Sequence, residues 1–205
     1  ASNTGLGRNA LVANTTADNN TAVGAYALGA NTTGTNNVAV GYVAGDLITT
    51  GAHNTIVGGE AGTAGNLSQA TLIGAYAGLA MTTATESCAV GYATLGSTTT
   101  GSSNTALGWF SMYANTTGAS NTAVGKGALD ANTTASNNVA VGYDALGANT
   151  TAANNTAVGA YTGDAITTGG DNTALGYAAL SGVTTATGNT AIGTYSNDAA
   201  CTGIS

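Results

Sequence analysis

The sequence predicts an all-β fold, a parallel β-solenoid (β-roll or β-helix) of twelve 17-residue coils without caps, and three observations carry this. The block Asn-Thr-Ala-Val-Gly recurs at residues 20–24, 121–125 and 155–159. Aligning every related copy on its last residue gives Gly7, Gly24, Gly41, Gly58, Gly74, Gly91, Gly108, Gly125, Gly142, Gly159, Gly176 and Gly193. Ten of the eleven steps are 17 residues and one, Gly58 to Gly74, is 16. A fixed period of this size marks a repeat architecture, so residues 1–205 read as a single solenoid domain. Second, the repeat is built from Asn, Thr, Val and Gly, all weak helix formers. Third, proline is absent, as expected where every coil needs its backbone N–H groups for a parallel ladder.

Each column of the repeat has its own chemistry. The residue before the glycine is aliphatic in all twelve copies, from Leu6 through Val124 to Ile192, and is expected to form the core. Three before the glycine stands mostly Thr, with Val38 and Val139. Side chains alternate along a strand, so this column shares a face with the aliphatic one. Four before the glycine, ten of twelve residues are Asn, and nine after it eleven of twelve are Thr. Such columns suit stacked coils, in which identical amides or hydroxyls hydrogen-bond along the stack. One strand ends at the aliphatic column, and others are expected around Ala27-Leu28 and Asn31-Thr32-Thr33. The glycine supplies either a positive-φ corner or a close backbone approach. Twelve coils would make a rod of about 58 Å.

Two before the glycine the residues are Gly5, ten further small or apolar residues, and Ala191, none of them polar. Facing away from the aliphatic column, they read either as small residues that tolerate solvent or as a strip buried against another chain. Ile56 and Leu72, large and in neighbouring coils, favour the strip and are interface candidates.

Charged residues make up only 5% and the net charge is −7, with Arg8 and Lys126 the two basic residues. Nucleic acid and membrane insertion are thereby set aside as partners: there is no basic footprint and no long apolar run. The strict period argues against disorder despite the low complexity. The chain begins Ala1-Ser2-Asn3 without Met, which reads as a processed product or fragment, and a small first residue suits signal-peptide cleavage.

No catalytic constellation is expected, and the chain reads as no enzyme. His53 is the only histidine, and Asp18, Asp46, Glu60, Glu86, Asp130, Asp144, Asp164, Asp171 and Asp198 are scattered over different coils. They read as solvated charges; no metal or cofactor is assigned. Cys88 and Cys201 fall roughly 29 Å apart if coils stack at about 4.8 Å, too far for a bridge. Aromatic rings are more ordered. Eight tyrosines follow their glycines by one or two residues, and Trp109 and Phe110 take that place in the seventh coil, with Met112 and Tyr113 beside them. Lateral packing against a neighbour is favoured over stacking on sugars, and these four residues are interface candidates.

The fourth and fifth coils are irregular, with Leu67 where Thr is usual and Ala70 and Ser87 where Asn is usual; tolerated drift is favoured over a site. Eight Asn-x-Ser/Thr sequons (Asn14, Asn19, Asn31, Asn66, Asn115, Asn132, Asn149 and Asn154) arise mostly from the repeat itself.

The run Asn-Thr-Ala-Val-Gly-x-x-Ala-Leu, best seen at residues 121–134 and 138–151, resembles the repeat arrays of trimeric autotransporter adhesin (YadA-like) heads and of phage tail-fibre and bacterial surface β-solenoid proteins. The resemblance spans all twelve repeats and implies an extracellular β-roll, often trimeric, serving as a stalk or adhesive head at a cell surface or virion. No neck, coiled coil or anchor is visible. The coil register at Ser205 nearly continues into Asn3 of another copy, so the expected function is an extracellular structural subunit that stacks head to tail into a fibre. Ala1, Ser2, Asn3, Ile204 and Ser205 are the interface candidates for that contact. The alternatives are a trimeric adhesin head or tail-fibre segment binding a cell-surface glycan, and an ice-binding solenoid using its Thr rows.

Overall fold

A computed structural model describes residues 2–197. Twelve three-residue strands, β1 (Thr4–Leu6), β2 (Thr21–Val23), β3 (Val38–Val40), β4 (Thr55–Val57), β5 (Thr71–Ile73), β6 (Cys88–Val90), β7 (Thr105–Leu107), β8 (Thr122–Val124), β9 (Val139–Val141), β10 (Thr156–Val158), β11 (Thr173–Leu175) and β12 (Thr190–Ile192), form one parallel sheet in sequence order. Each strand pairs with its equivalent one repeat on, Thr4 with Thr21 and Leu6 with Val23, for example. There is no helix among the described residues. The chain is a β-solenoid of about 11 turns.

Only one strand forms per coil. The expected additional strands around Ala27-Leu28 and Asn31-Thr32-Thr33 are turns. Their cause is backbone curvature: the second and fourth residues after each glycine, and the residue five before the next, take positive φ, as at Tyr26 (61°), Leu28 (49°) and Asn36 (57°). Three such reversals let 17 residues close one turn. The turns still ladder to the next coil, through Leu28 N–H to the Ala44 carbonyl at 3.0 Å and Thr32 N–H to the Thr49 carbonyl at 2.9 Å. The repeat glycine serves both expected ends at once. Gly125 has φ of 137°, and a Cβ there would run into the Gly142 carbonyl above it.

The interior is the reverse of the expected one. The column two before the glycine is the core: Ala22, Ala39, Ile56, Leu72, Ala89, Ala106, Ala123 and Ala140 are wholly buried. The aliphatic column faces outward, with Leu107 45% and Leu175 47% exposed. Alternation along the strand holds, but its sense is inverted, because the coil is too narrow for a large side chain in this column at every level. Ile56 and Leu72 therefore point into the core and form no outer strip. Met112 is buried too, and drops out as an interface candidate.

Most coils admit one large inner side chain at the fourth or the seventh place after the glycine, the eleventh holding both Leu180 and Val183. Leu28, Leu95, Leu129 and Leu146, four after their glycines, are fully buried beside Asn31, Thr98, Asn132 and Asn149. Where that fourth residue is Gly45, Gly78 or Gly163, the residue three further on is Ile48, Met81 or Ile166, also buried. A Cβ on Gly163 would lie 3.0 Å from Ile166 Cδ1, so the isoleucine fills the volume that leucine fills elsewhere. The 16-residue coil follows the same rule. It has Gly62 at the fourth place, and Leu67, Ile56 and Leu72 fill the space around it. Asn66 repairs its backbone ladder. Its side-chain oxygen accepts from the N–H groups of Thr49, Thr50 and Gly51 at 3.0, 3.0 and 2.8 Å, where a Thr carbonyl serves in other coils. The irregular coils are a repacked core.

Two buried amide rows bind the stack. Asn121 Oδ1 accepts from the Asn138 backbone N–H at 2.9 Å, and Asn121 Nδ2 donates to the Ala135 carbonyl at 2.9 Å. Asn20, Asn37, Asn104, Asn138 and Asn155 repeat the arrangement. The second row, seven after the glycine, links Asn132 Nδ2 to Asn115 Oδ1 at 2.9 Å. It breaks at Asn14, which faces Asn31, and at Asn31 and Asn149, which face Ile48 and Ile166 one coil on; all three Oδ1 atoms are buried without a partner, each costing about 1–3 kcal/mol. Sequons Asn31, Asn115, Asn132 and Asn149 lie in this row, fully buried, and the folded chain cannot present them for glycosylation.

This exchange of volume is testable by calorimetry. Ile166→Asn should destabilise by about 2–4 kcal/mol through a cavity. Adding Gly163→Leu should recover most of that loss, since leucine already occupies positive φ at the equivalent Leu146 (51°) and the new amide at position 166 would give Asn149 Oδ1 a donor.

Candidate functional site: an outward aliphatic face and an aromatic edge

Two features of the outer surface are not consumed by the fold. The first is the outward face of the sheet. Its two columns are the aliphatic residues and the Thr column, and every described member of both is exposed or half-buried. Cys88 lies in the second, half-buried and with a free thiol; Cys201 is outside the described residues. Across eleven inter-coil steps the face is about 53 Å long. Apolar patches above a few hundred Å² are uncommon on monomers.

The second feature is the aromatic edge, at the corner where the chain leaves the strand. Tyrosine stands one residue after the glycine in some coils and two after it in others, and the two placements alternate between neighbours: Tyr143, Tyr161, Tyr177 and Tyr195. The alternation offsets successive rings, which meet edge to face with centroids 5.1, 5.9 and 5.4 Å apart. Such contacts add about 0.5–1.5 kcal/mol each beyond burial. A second run goes from Tyr76 to Tyr92 to Phe110, at 5.6 and 5.7 Å. Lys126 bridges the two runs in the intervening coil, which has no ring of its own, with Nζ 4.5 Å from the Trp109 ring and 5.7 Å from that of Tyr143. Arg8 lies over Tyr26 in the same way at 5.5 Å. Both basic residues of the chain thus belong to this edge by cation–π contact. Their place in the aromatic column was the sequence signal for it.

Trp109, Phe110 and Tyr113 come together here. Trp109 packs on Phe110 at 4.7 Å and Phe110 on Tyr113 at 4.9 Å, and Trp109 and Tyr113 remain exposed. Beside them opens a cleft of about 230 Å³ lined by Tyr76, Leu79, Tyr92, Ala93, Gly96, Phe110 and Tyr113. Leu79, Ala93 and Gly96 were not singled out by the sequence. The terminal candidates separate: Ser2 is exposed and Asn3 half-buried, with Asn3 Nδ2 donating to the Ala17 carbonyl at 2.6 Å. Ala1, Ile204 and Ser205 lie outside the described residues.

The carboxylates do not gather. Among the described residues no group of three metal-ligating side chains forms. Asp46 and Asp130 are half-buried rather than freely solvated. Burial pushes the Asp130 carboxyl above its ordinary value of 3.8, and the Asp144 charge pushes it further the same way. Burial likewise raises Asp46, opposed by a hydrogen bond from the Gly29 backbone.

No protein-family model, curated protein or solved structure matches this chain in the corresponding searches.

The Asp130 shift has a signed consequence. A raised folded-state value means that the native state holds more protons than the unfolded chain between pH 3.8 and that value, so its contribution to stability falls as pH rises through this window. Asp130→Asn should raise the melting temperature at pH 7. The gain should vanish below the unfolded-state value, where both carboxyls are protonated; thermal melts across pH measure it.

Proposed function

We propose that this chain is an extracellular structural protein, a rigid solenoid unit that builds a fibre or surface rod by associating with copies of itself. The observation that supports it best is the outward aliphatic column. Beside a core that already holds about one large side chain per coil, a whole further column of Val, Leu and Ile is left exposed or half-exposed on the outer face through successive coils. Together with the aromatic edge, the strip measures about 53 by 15 Å, on the order of the 800 Å² per partner that stable complexes bury. Charge is too sparse to keep such surfaces apart, and Thr hydroxyls between the aliphatic rows keep the unpaired face wettable. Side-by-side association through this face, as in a trimeric rod, is the primary contact; head-to-tail stacking of coils is compatible with it and extends the rod. The resemblance to adhesin-head and tail-fibre repeats points to the same setting, a cell surface or virion.

A second use of the face is favoured by its regularity. Nine of the twelve residues in the Thr column are Thr, and with the aliphatic methyl groups they form a two-dimensional array suited to ordering water, as an ice-binding surface would. The Thr row eight after the glycine is less suited, because its hydroxyls donate to carbonyls of the next coil, Thr133 to Thr150 at 3.0 Å, for example. Thermal hysteresis that Thr122→Lys abolishes would support this use; freezing at the buffer's own point would remove it.

Sedimentation separates self-association from a solitary rod. The wild-type chain should be oligomeric at about 10–100 µM, and Leu107→Glu with Leu175→Glu should shift it to monomer by at least about tenfold in dissociation constant. The melting temperature of the monomeric form should be nearly unchanged, since neither residue is in the core. A wild-type chain that sediments as a monomer throughout this range would contradict the lateral contact.

A further inference from the structure

We propose that the cleft between the fifth and seventh coils binds one pyranose ring of a neutral glycan. It arises from a missing rung. In the fifth and seventh coils the residues two and five after the glycine are Tyr76 and Leu79, and Phe110 and Tyr113; in the sixth they are Ala93 and Gly96. Large groups above and below, with the smallest residues between, leave a notch whose floor is Ala93 and Gly96, both buried. Tyr92 closes one side. A Cβ on Gly96 would come 2.8 Å from the Tyr113 ring, so glycine there lets the ring lean over the notch. The notch opens beside the continuous Tyr76–Tyr92–Phe110 run of rings, and its volume of about 230 Å³ accepts a single six-membered ring.

The lining selects the chemistry. None of the seven lining residues is charged, so nothing there rewards an anion or cation. Four of the seven are aromatic, and three of those are tyrosines. Tyr92 and Tyr113 are exposed, and the hydroxyls of Tyr76, Tyr92 and Tyr113 make no hydrogen bond to a described residue. A pyranose with equatorial hydroxyls matches this arrangement. Its axial C–H groups form an apolar face for the rings, and its hydroxyls reach the phenols at the rim. A purely apolar ring would leave those phenols without a ligand partner. The site goes beyond the structural function proposed above; because it lies on the aromatic edge, side-by-side association competes with it, and it is open in the monomeric chain.

Trp109 is the only tryptophan in the chain and lies 4.7 Å from Phe110, so its fluorescence reports on this cleft. The experiment titrates the full chain with methyl β-glucopyranoside, methyl β-galactopyranoside and N-acetylglucosamine, with benzyl alcohol as an apolar ring of similar size. Ala93→Tyr fills the notch. It suits the backbone, since Tyr76 takes the same position with φ of 60° against 54° at Ala93. At least one saccharide should give a saturable change with a dissociation constant on the order of 1 mM, weakened at least about tenfold in Ala93→Tyr at unchanged melting temperature. No saturable response to any saccharide, an equal response in Ala93→Tyr, or a response to benzyl alcohol alone would each overturn the proposal. Repeating the titration on the monomeric Leu107→Glu, Leu175→Glu chain separates this outcome from the state of assembly.

Discussion

The tightness of the coil is the constraint on which everything else depends. Closing a turn in 17 residues around a single three-residue strand requires repeated backbone reversals, and 29 non-glycine residues among those described adopt positive φ, against a few per cent in ordinary chains. That geometry is unfavourable residue by residue. It persists because each turn hands its N–H groups to the carbonyls of the next coil, so the coils stabilise one another and none is stable alone. Stacking in turn brings backbones so close that the repeat glycine cannot carry a Cβ.

From the narrow interior follows the division of labour among side chains. Alanine lines the strand's inner face, about one larger residue per coil fills the remaining space, and buried asparagine amides satisfy backbone groups that no neighbouring strand reaches. The exchange of Leu28 and Asn31 for Gly45 and Ile48 between neighbouring coils expresses one volume limit in two ways. Its side effect is an amide oxygen left without a donor wherever isoleucine follows asparagine. Large apolar residues that the interior cannot accept are displaced to the outer face and the aromatic edge, and those are the surfaces on which function has to act.

Much of this was legible in the sequence. The period, the all-β class, the parallel stack, the asparagine ladder and the special backbone at the glycine all follow from columns that hold their chemistry through twelve coils. The sense of the strand was not legible. Hydrophobicity places Val124 inside and Ala123 outside, and only the width of the coil, which no single column records, reverses them. Ile56 and Leu72 looked like an outer strip for the same reason. The aromatic edge was visible as a stripe of tyrosines, but the Lys126 bridge and the Ala93 and Gly96 notch depend on which residues meet between coils. A column comparison at the second and fifth positions after the glycine would have exposed the notch.

The inverted strand is the central claim, and thiol accessibility tests it most directly. In a chain freed of its own cysteines by Cys88→Thr and Cys201→Thr, Ala123→Cys and Val124→Cys place single thiols on the two faces of β8. Labelled with a maleimide in dilute solution, where outer faces are unpaired, the half-exposed thiol at 124 should react readily and the thiol at 123 should be strongly protected. Rapid labelling at 123 with protection at 124 would contradict the account, returning the aliphatic column to the core and removing the surface on which the proposed assembly rests.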